Sequence, residues 1–114
     1  PAVEYIQANR IRYLVIQDMQ KLMDTVDVYI APSFEGNNLL LTNLTGHPAV
    51  VVPDGFRKSD GTPTSLTFIG RLWGEAEALH LASAFQEATD HHLRRPPRFE
   101  GTAPPDESEG HLTS

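Results

Sequence analysis

The residue pattern predicts an α/β chain: a small mixed sheet of about three strands with two long flanking helices. Three observations predict it. Two long stretches carry apolar residues at helical spacing, one near each end of the 114 residues. Three short β-branched runs lie between them. Each run is closed by Pro or Gly, which punctuate strands.

The first helix is expected over 2–24. Val3, Ile6, Ile11, Leu14, Val15, Met19, Leu22 and Met23 follow a period near 3.6, with Glu4, Arg10, Gln17 and Lys21 on other faces. Pro1 is tolerated at a helix start. The first strand is expected over 26–31 (VDVYIA), stopped by Pro32. The stretch 34–38 reads as a loop. Residues 39–45 then make about two helical turns, closed by Gly46 and blocked from continuing by Pro48. A second strand spans 49–52 (AVVV) up to Pro53. Asp54-Gly55 and Asp60-Gly61 are turn dipeptides around a polar 56–59. A third strand spans 64–69 and ends at Gly70. The last helix is expected over 74–95. Glu75 and Glu77 suit its start, Ala78, Leu81, Ala82, Phe85 and Ala88 form its stripe, and Arg94-Arg95 suit its end before Pro96-Pro97. The first two strands are expected to lie parallel through a helical crossover, with the third returning beside the second. The tail 97–114 is rich in Pro, Gly, Glu and Ser, and disorder is expected unless something holds it.

Composition removes several functions. Nine Lys+Arg against fifteen Asp+Glu leave a net charge of −6, and no basic cluster is larger than an adjacent pair such as Arg94-Arg95. Nucleic acid and membrane are therefore not expected partners. There is no cysteine, which removes disulfides, thiol catalysis and cysteine-based zinc sites together. Apolar runs stay well short of the roughly 18 residues of a membrane span. The expected compartment is cytoplasmic by default, with export left open. Pro1 is followed by no charged-then-apolar leader, so the expectation is a piece of something longer, without a signal peptide.

Chemistry within the chain is sparse. His91 and His92 point about 100° apart on a helix, and His80 lies roughly 16 Å from His91, so neither pair can chelate one ion. Together with His47 and His111 they read as solvated surface residues. Six serines and five histidines could be combined on paper, but no Gly-x-Ser-x-Gly elbow accompanies any serine. Asp24 and Asp27 read as helix-end and strand-approach residues rather than as an acid/base pair. Asn43-Leu44-Thr45 matches a glycosylation acceptor, and a structural cap is the preferred reading. No glycine-rich phosphate loop opens a helix after a strand.

One ordered set of motifs remains: Asn43-Leu-Thr-Gly46-His-Pro48, an apolar strand, Pro53-Asp-Gly55, Gly61-Thr-Pro63, a strand ending in Ile69-Gly70, and a Glu-rich helix start at Glu75. This set resembles the C-terminal end of the amidase signature family, and the helix and strand before it, from Arg12 to Pro32, resemble what precedes it there. The resemblance covers residues 1–96, read as the C-terminal portion of an amidase domain. It implies a fragment of the larger amidase signature α/β sandwich. The enzymes concerned hydrolyse carboxylic amides through a Ser–cis-Ser–Lys triad and an acyl-enzyme, with no cofactor. Those positions lie upstream of this region in the family. Lys21 and Lys58 are not in the family's lysine context, so no catalytic residue is carried over. The resemblance makes the loop with Phe34, Glu35, Asn37 and Asn38 a wall of the substrate cleft. Asn43, Gly46, Pro48, Pro53, Gly55, Gly61 and Gly70 are its structural motif. Two positions depart from the family. Ser65 stands where Gly is usual, and Gly36, beside Glu35, stands where glutamine-using branches carry an acidic residue.

The leading expectation is the C-terminal part of an amidase, inactive alone, which completes the sheet and the substrate cleft. Its partners would be the remainder of the amidase chain and, in the parent, a small amide. The alternative is a non-catalytic binding or assembly module of the same shape, and a small independent serine enzyme is a third reading. Two helices cannot cover three buried-type strands on both faces. An exposed apolar patch and self-association, as an isologous dimer or by strand exchange, are expected. The tail could pack over that patch.

Overall fold

The computed structural model describes residues 1–33 and 36–99. Helix α1 (Ala2–Met23), strand β1 (Val28–Pro32), helix α2 (Asn38–Thr45), strands β2 (Ala49–Phe56) and β3 (Pro63–Gly70), and helix α3 (Glu75–Ala88) follow in that order, with single 3-10 turns at His91–Leu93 and Pro97–Phe99. The chain is an α/β fragment built on one three-stranded sheet.

The strand order corrects the expected pairing. The sheet runs β1-β3-β2, and both pairs are antiparallel. β1 and β2 do share a direction, but β3 lies between them. The physical reason is the hairpin. β2 extends through Asp54-Gly55 to Phe56, and only residues 57–62 connect it to β3. That short link makes β3 the antiparallel neighbour of β2. Asp54-Gly55 is therefore a bulge inside the strand and not a turn: the register shifts between Pro53 and Gly55, where Gly55 has φ 138°. The turn itself is closed at Asp60, whose carboxylate accepts from Thr62 N–H at 3.0 Å and pairs with Arg57 at 3.3 Å. The Thr62 hydrogen bond comes first among the causes that hold the Asp60 carboxyl below its usual range.

Neighbouring residues on β3 face opposite sides of the sheet. Ile69 packs with Met19, Met23, Ala31, Tyr29 and Leu41, on the side covered by α1 and α2. Phe68 packs with Val52, Ala82, Val28, Val50, Leu66 and Phe85, on the side covered by α3. Phe68, Met23 and Ile69 are the largest fully buried side chains.

Helix α1 is long, but only its C-terminal end is seated. Met19 and Met23 are buried, whereas Val3, Tyr5, Ile6, Ile11, Tyr13 and Leu14 are more than half exposed. Arg12 holds the middle, its Nε donating to Leu44 O at 2.7 Å and so satisfying a carbonyl in the last turn of α2. Gly46 caps α2 in the left-handed conformation at φ 82°, and its N–H donates to Thr42 O at 2.9 Å.

Helix α3 ends earlier than the expected residue 95. Thr89 is extended, and its hydroxyl donates back to Phe85 O at 2.9 Å. The turn that follows stacks the His91 ring on Phe85, with 6.3 Å between centroids, close against Gly55 of β2. Packing on the sheet outweighs helix continuation there, so Arg94 and Arg95 do not serve as the helix end.

Between β3 and α3 the chain turns sharply. Gly74 N–H donates to Arg71 O at 2.8 Å. A Cβ on Gly70 would lie 2.8 Å from Gly74 O, and one on Gly74 would lie 2.9 Å from Arg71 O. Both positions therefore require glycine. No described helix is long and apolar enough to cross a membrane.

Candidate functional site

The C-terminal ends of β1 and β2 and the start of β3 form one rim of the sheet, because both outer strands are antiparallel to β3. The loop expected to form a cleft wall begins at this rim. Ser33 N–H donates to Ser65 O at 3.2 Å, and the Ser33 and Thr67 hydroxyls lie 2.9 Å apart. Asn37 is the exposed N-cap of α2, where its carbonyl accepts from Leu41 N–H. Asn38 is half-buried, and its Oδ1 accepts from the Tyr29 hydroxyl at 3.3 Å. Burial raises the Tyr29 phenol above its ordinary pKa, so it stays a donor near neutrality. Phe34 and Glu35 lie outside the described residues, as does the tail from 100 to 114.

A hollow of about 300 Å³ adjoins these hydroxyls, lined by Val51, Val52, Pro53, Pro63, Thr64 and Ser65. The register explains the neighbourhood, since Val51 faces Thr67 and Pro53 faces Ser65. The rim thus combines hydroxyl and amide groups with an apolar recess. It can hydrogen-bond a polar head and shelter a small apolar group. It does not supply a nucleophile with its base: the group facing Ser33 is another hydroxyl, and among the described residues no His, Lys or carboxylate hydrogen-bonds Ser33 or Ser65. No cluster of three potential metal ligands occurs among the described residues.

The motif glycines and prolines lie where the backbone is most constrained. Pro48 O accepts from Gly70 N–H at 2.9 Å, joining the start of β2 to the end of β3. Gly61 has φ 71° in the hairpin connection and lies against Pro97. Pro53 stands on the open face beside the bulge, and Asn43 is exposed on α2. Asp24 caps α1, and Asp27 pairs with Arg71 at 2.9 Å.

Two histidines depart from the solvated reading. His47 is buried, at 4% exposure. The Thr45 hydroxyl donates its one hydrogen to Leu41 O at 2.9 Å, so it accepts from His47 Nδ1 at 2.7 Å. The unprotonated nitrogen is then Nε2, which is buried without a partner beside a hollow of about 130 Å³ lined also by Gln20, Met23, Asp24, Arg71 and Leu72. Burial lowers its pKa below the ordinary 6.5. His91 is half-buried, and its Nδ1 and Asp54 Oδ1 are further unpartnered buried atoms near the bulge. The place of His47 between Gly46 and Pro48 marks where the chain leaves a capped helix for the sheet, but that local context does not report burial.

No family model matches the chain. Curated relatives do. A glutamyl-tRNA(Gln) amidotransferase subunit from Methanosarcina acetivorans is 34% identical over 112 residues, covering 82% of this chain and 23% of that protein. The corresponding proteins from Cupriavidus necator and Halalkalibacterium halodurans are 36% and 33% identical, each covering 81% of this chain and 22% of the relative. Over this stretch the chain is similar to amidase signature family proteins. The chain spans less than a quarter of the length of these relatives. The α/β fragment and its uncovered helix agree with a partial amidase signature domain.

Proposed function

We propose that this chain is the C-terminal part of an amidase, with residues 1–96 completing the sheet and one wall of the substrate cleft and residues 97–114 a tail. The reacting serine and its base would lie on the remainder of the polypeptide. One observation carries the reading: a stretch alignable over four-fifths of the chain to amidase signature proteins has a hydroxyl-lined rim but no nucleophile–base pair among its described residues. In the parent, serine attack on an amide carbonyl would break the C–N bond, release the protonated amine (ammonia from a primary amide) and leave an acyl-enzyme, and water would then release the acid and restore the serine. The rim at Ser33, Asn37, Asn38 and Ser65, with Phe34 and Glu35, would face that substrate. A small amide is the proposed substrate class. Glutamine belongs on the substrate panel, since the relatives named above are glutamyl-tRNA(Gln) amidotransferase subunits, while Gly36 stands where the resemblance leads one to expect an acidic residue.

The test compares this chain with the full polypeptide of its gene on a panel of short primary amides. Turnover by the longer protein and none by the 114 residues is the expected result. Hydrolysis by the chain alone, lost on changing Ser33 or Ser65, would overturn the reading. The alternative is a binding or assembly module, favoured by the hydrogen-bonding rim. Calorimetric binding of an amide by a gene product without turnover would establish it.

A further inference from the structure

The sharpest unexplained feature is Trp73. It is the only tryptophan of the chain and is 92% exposed. It is also the only described non-glycine residue with positive φ, at 64°. For a bulky side chain that conformation is a true outlier and persists only where the surroundings impose it. Here they do. Gly70 and Gly74 flank it at positions where a Cβ would strike backbone oxygen at 2.8 and 2.9 Å. Arg71 braces the turn through its ion pair with Asp27 and its Nε donating to Val26 O at 3.1 Å. The fold therefore holds its largest apolar side chain outward, at a backbone angle suited to glycine, with no contact among the described residues that offsets the strain.

We propose that Trp73 is a docking anchor that inserts into the catalytic portion of the longer amidase polypeptide, a proposal that rests on the reading above. Tryptophan on a rigid support is the residue type that most often dominates an interface. The occupant follows from length: the relatives have more than three-quarters of their residues outside the stretch this chain matches, so a large body of polypeptide remains to be packed against it. A small ligand fits the turn less well. The hollow beside Trp73 is about 170 Å³, and its cation and one of its carboxylates, Arg71 and Asp27, are already paired.

The test uses Trp73→Gly and Trp73→Phe in two proteins, this chain and the full gene product, with the unfolding midpoint as readout and amide hydrolysis as a separate one. In the 114-residue chain Trp73→Gly is expected to leave the midpoint unchanged or raise it, because glycine adopts φ 64° freely and an exposed ring loses nothing. Its tryptophan emission, before substitution, is expected to be that of a solvated indole at every concentration. In the full polypeptide Trp73→Gly is expected to lower the midpoint by several degrees, and Trp73→Phe to recover most of the loss. A full polypeptide that hydrolyses amides but tolerates Trp73→Gly unchanged overturns the anchor and leaves the amidase reading standing. A full polypeptide without amidase activity removes the reading beneath both. Emission that shifts to the blue with concentration in the isolated chain overturns the named occupant in favour of a second copy. A lowered midpoint in the isolated chain overturns the proposal by showing that Trp73 packs within it.

Discussion

His47 links its protonation to the stability of the fold. Its neutral ring is fixed by Thr45, and burial depresses its pKa below 6.5. The unfolded chain then takes up the proton more readily than the folded one, so stability is complete above the ordinary imidazole value and falls as pH drops below it. Urea unfolding at about pH 7.5 and about pH 5.5 should show this loss, and His47→Gln should reduce it; an equal loss in the variant would count against the assignment. Two glycines give a second prediction at this scale. Gly46→Ala meets no atom within 4 Å but must adopt φ 82°, a cost of about 1–2 kcal/mol that Asn should partly relieve. Gly70→Ala meets Gly74 O at 2.8 Å, an overpacking cost of about 1–3 kcal/mol or more, with no relief from Asn. Midpoints for Ala and Asn at both positions would separate torsional strain from collision.

Among the elements, α1 shows the steepest contrast along one helix. Met23→Ala should cost about 2–5 kcal/mol because the side chain is 2% exposed in the core. Leu14→Ala, at 57% exposure, should change little in this chain. Amide exchange should be slow near Met19 and Met23 and fast before Arg12. Equal costs for the two truncations would show that the whole helix is seated. The helical period of α1 was legible, since apolar spacing reports a face. Whether that face is covered was not, because spacing carries no information about the partner. The ends of α2 were legible through Gly46 and Pro48, whose effects are local. The end of α3 was not, because Thr89 and His91 follow a contact with Phe85 and β2 that is distant in sequence. The burial of His47 was hidden for the same reason: it depends on where α1 and Arg71 come to rest.

For the molecule as a whole, the uncovered side of α1 and the outward Val51 and Ile30 leave apolar surface in water. Sedimentation of the isolated chain should show concentration-dependent association, weakened by Tyr13→Glu or Leu14→Glu. A well-dispersed monomer at high concentration would count against it. The class of the fold and its three strands were readable from short β-branched runs between turn residues. The β1-β3-β2 order was not, because buried runs of this length do not reveal which neighbour they take.

That order has a consequence for synthesis. Among the described strands, β1 finds its hydrogen-bonding partner in β3 alone, where Val28 faces Gly70. A ribosome must therefore deliver roughly forty further residues before β1 can be paired, while β2 and β3 can zip together at once across their short link. The nascent hairpin is the natural nucleus, and of the three strands the earliest made is the one that waits longest with its backbone amides unclaimed.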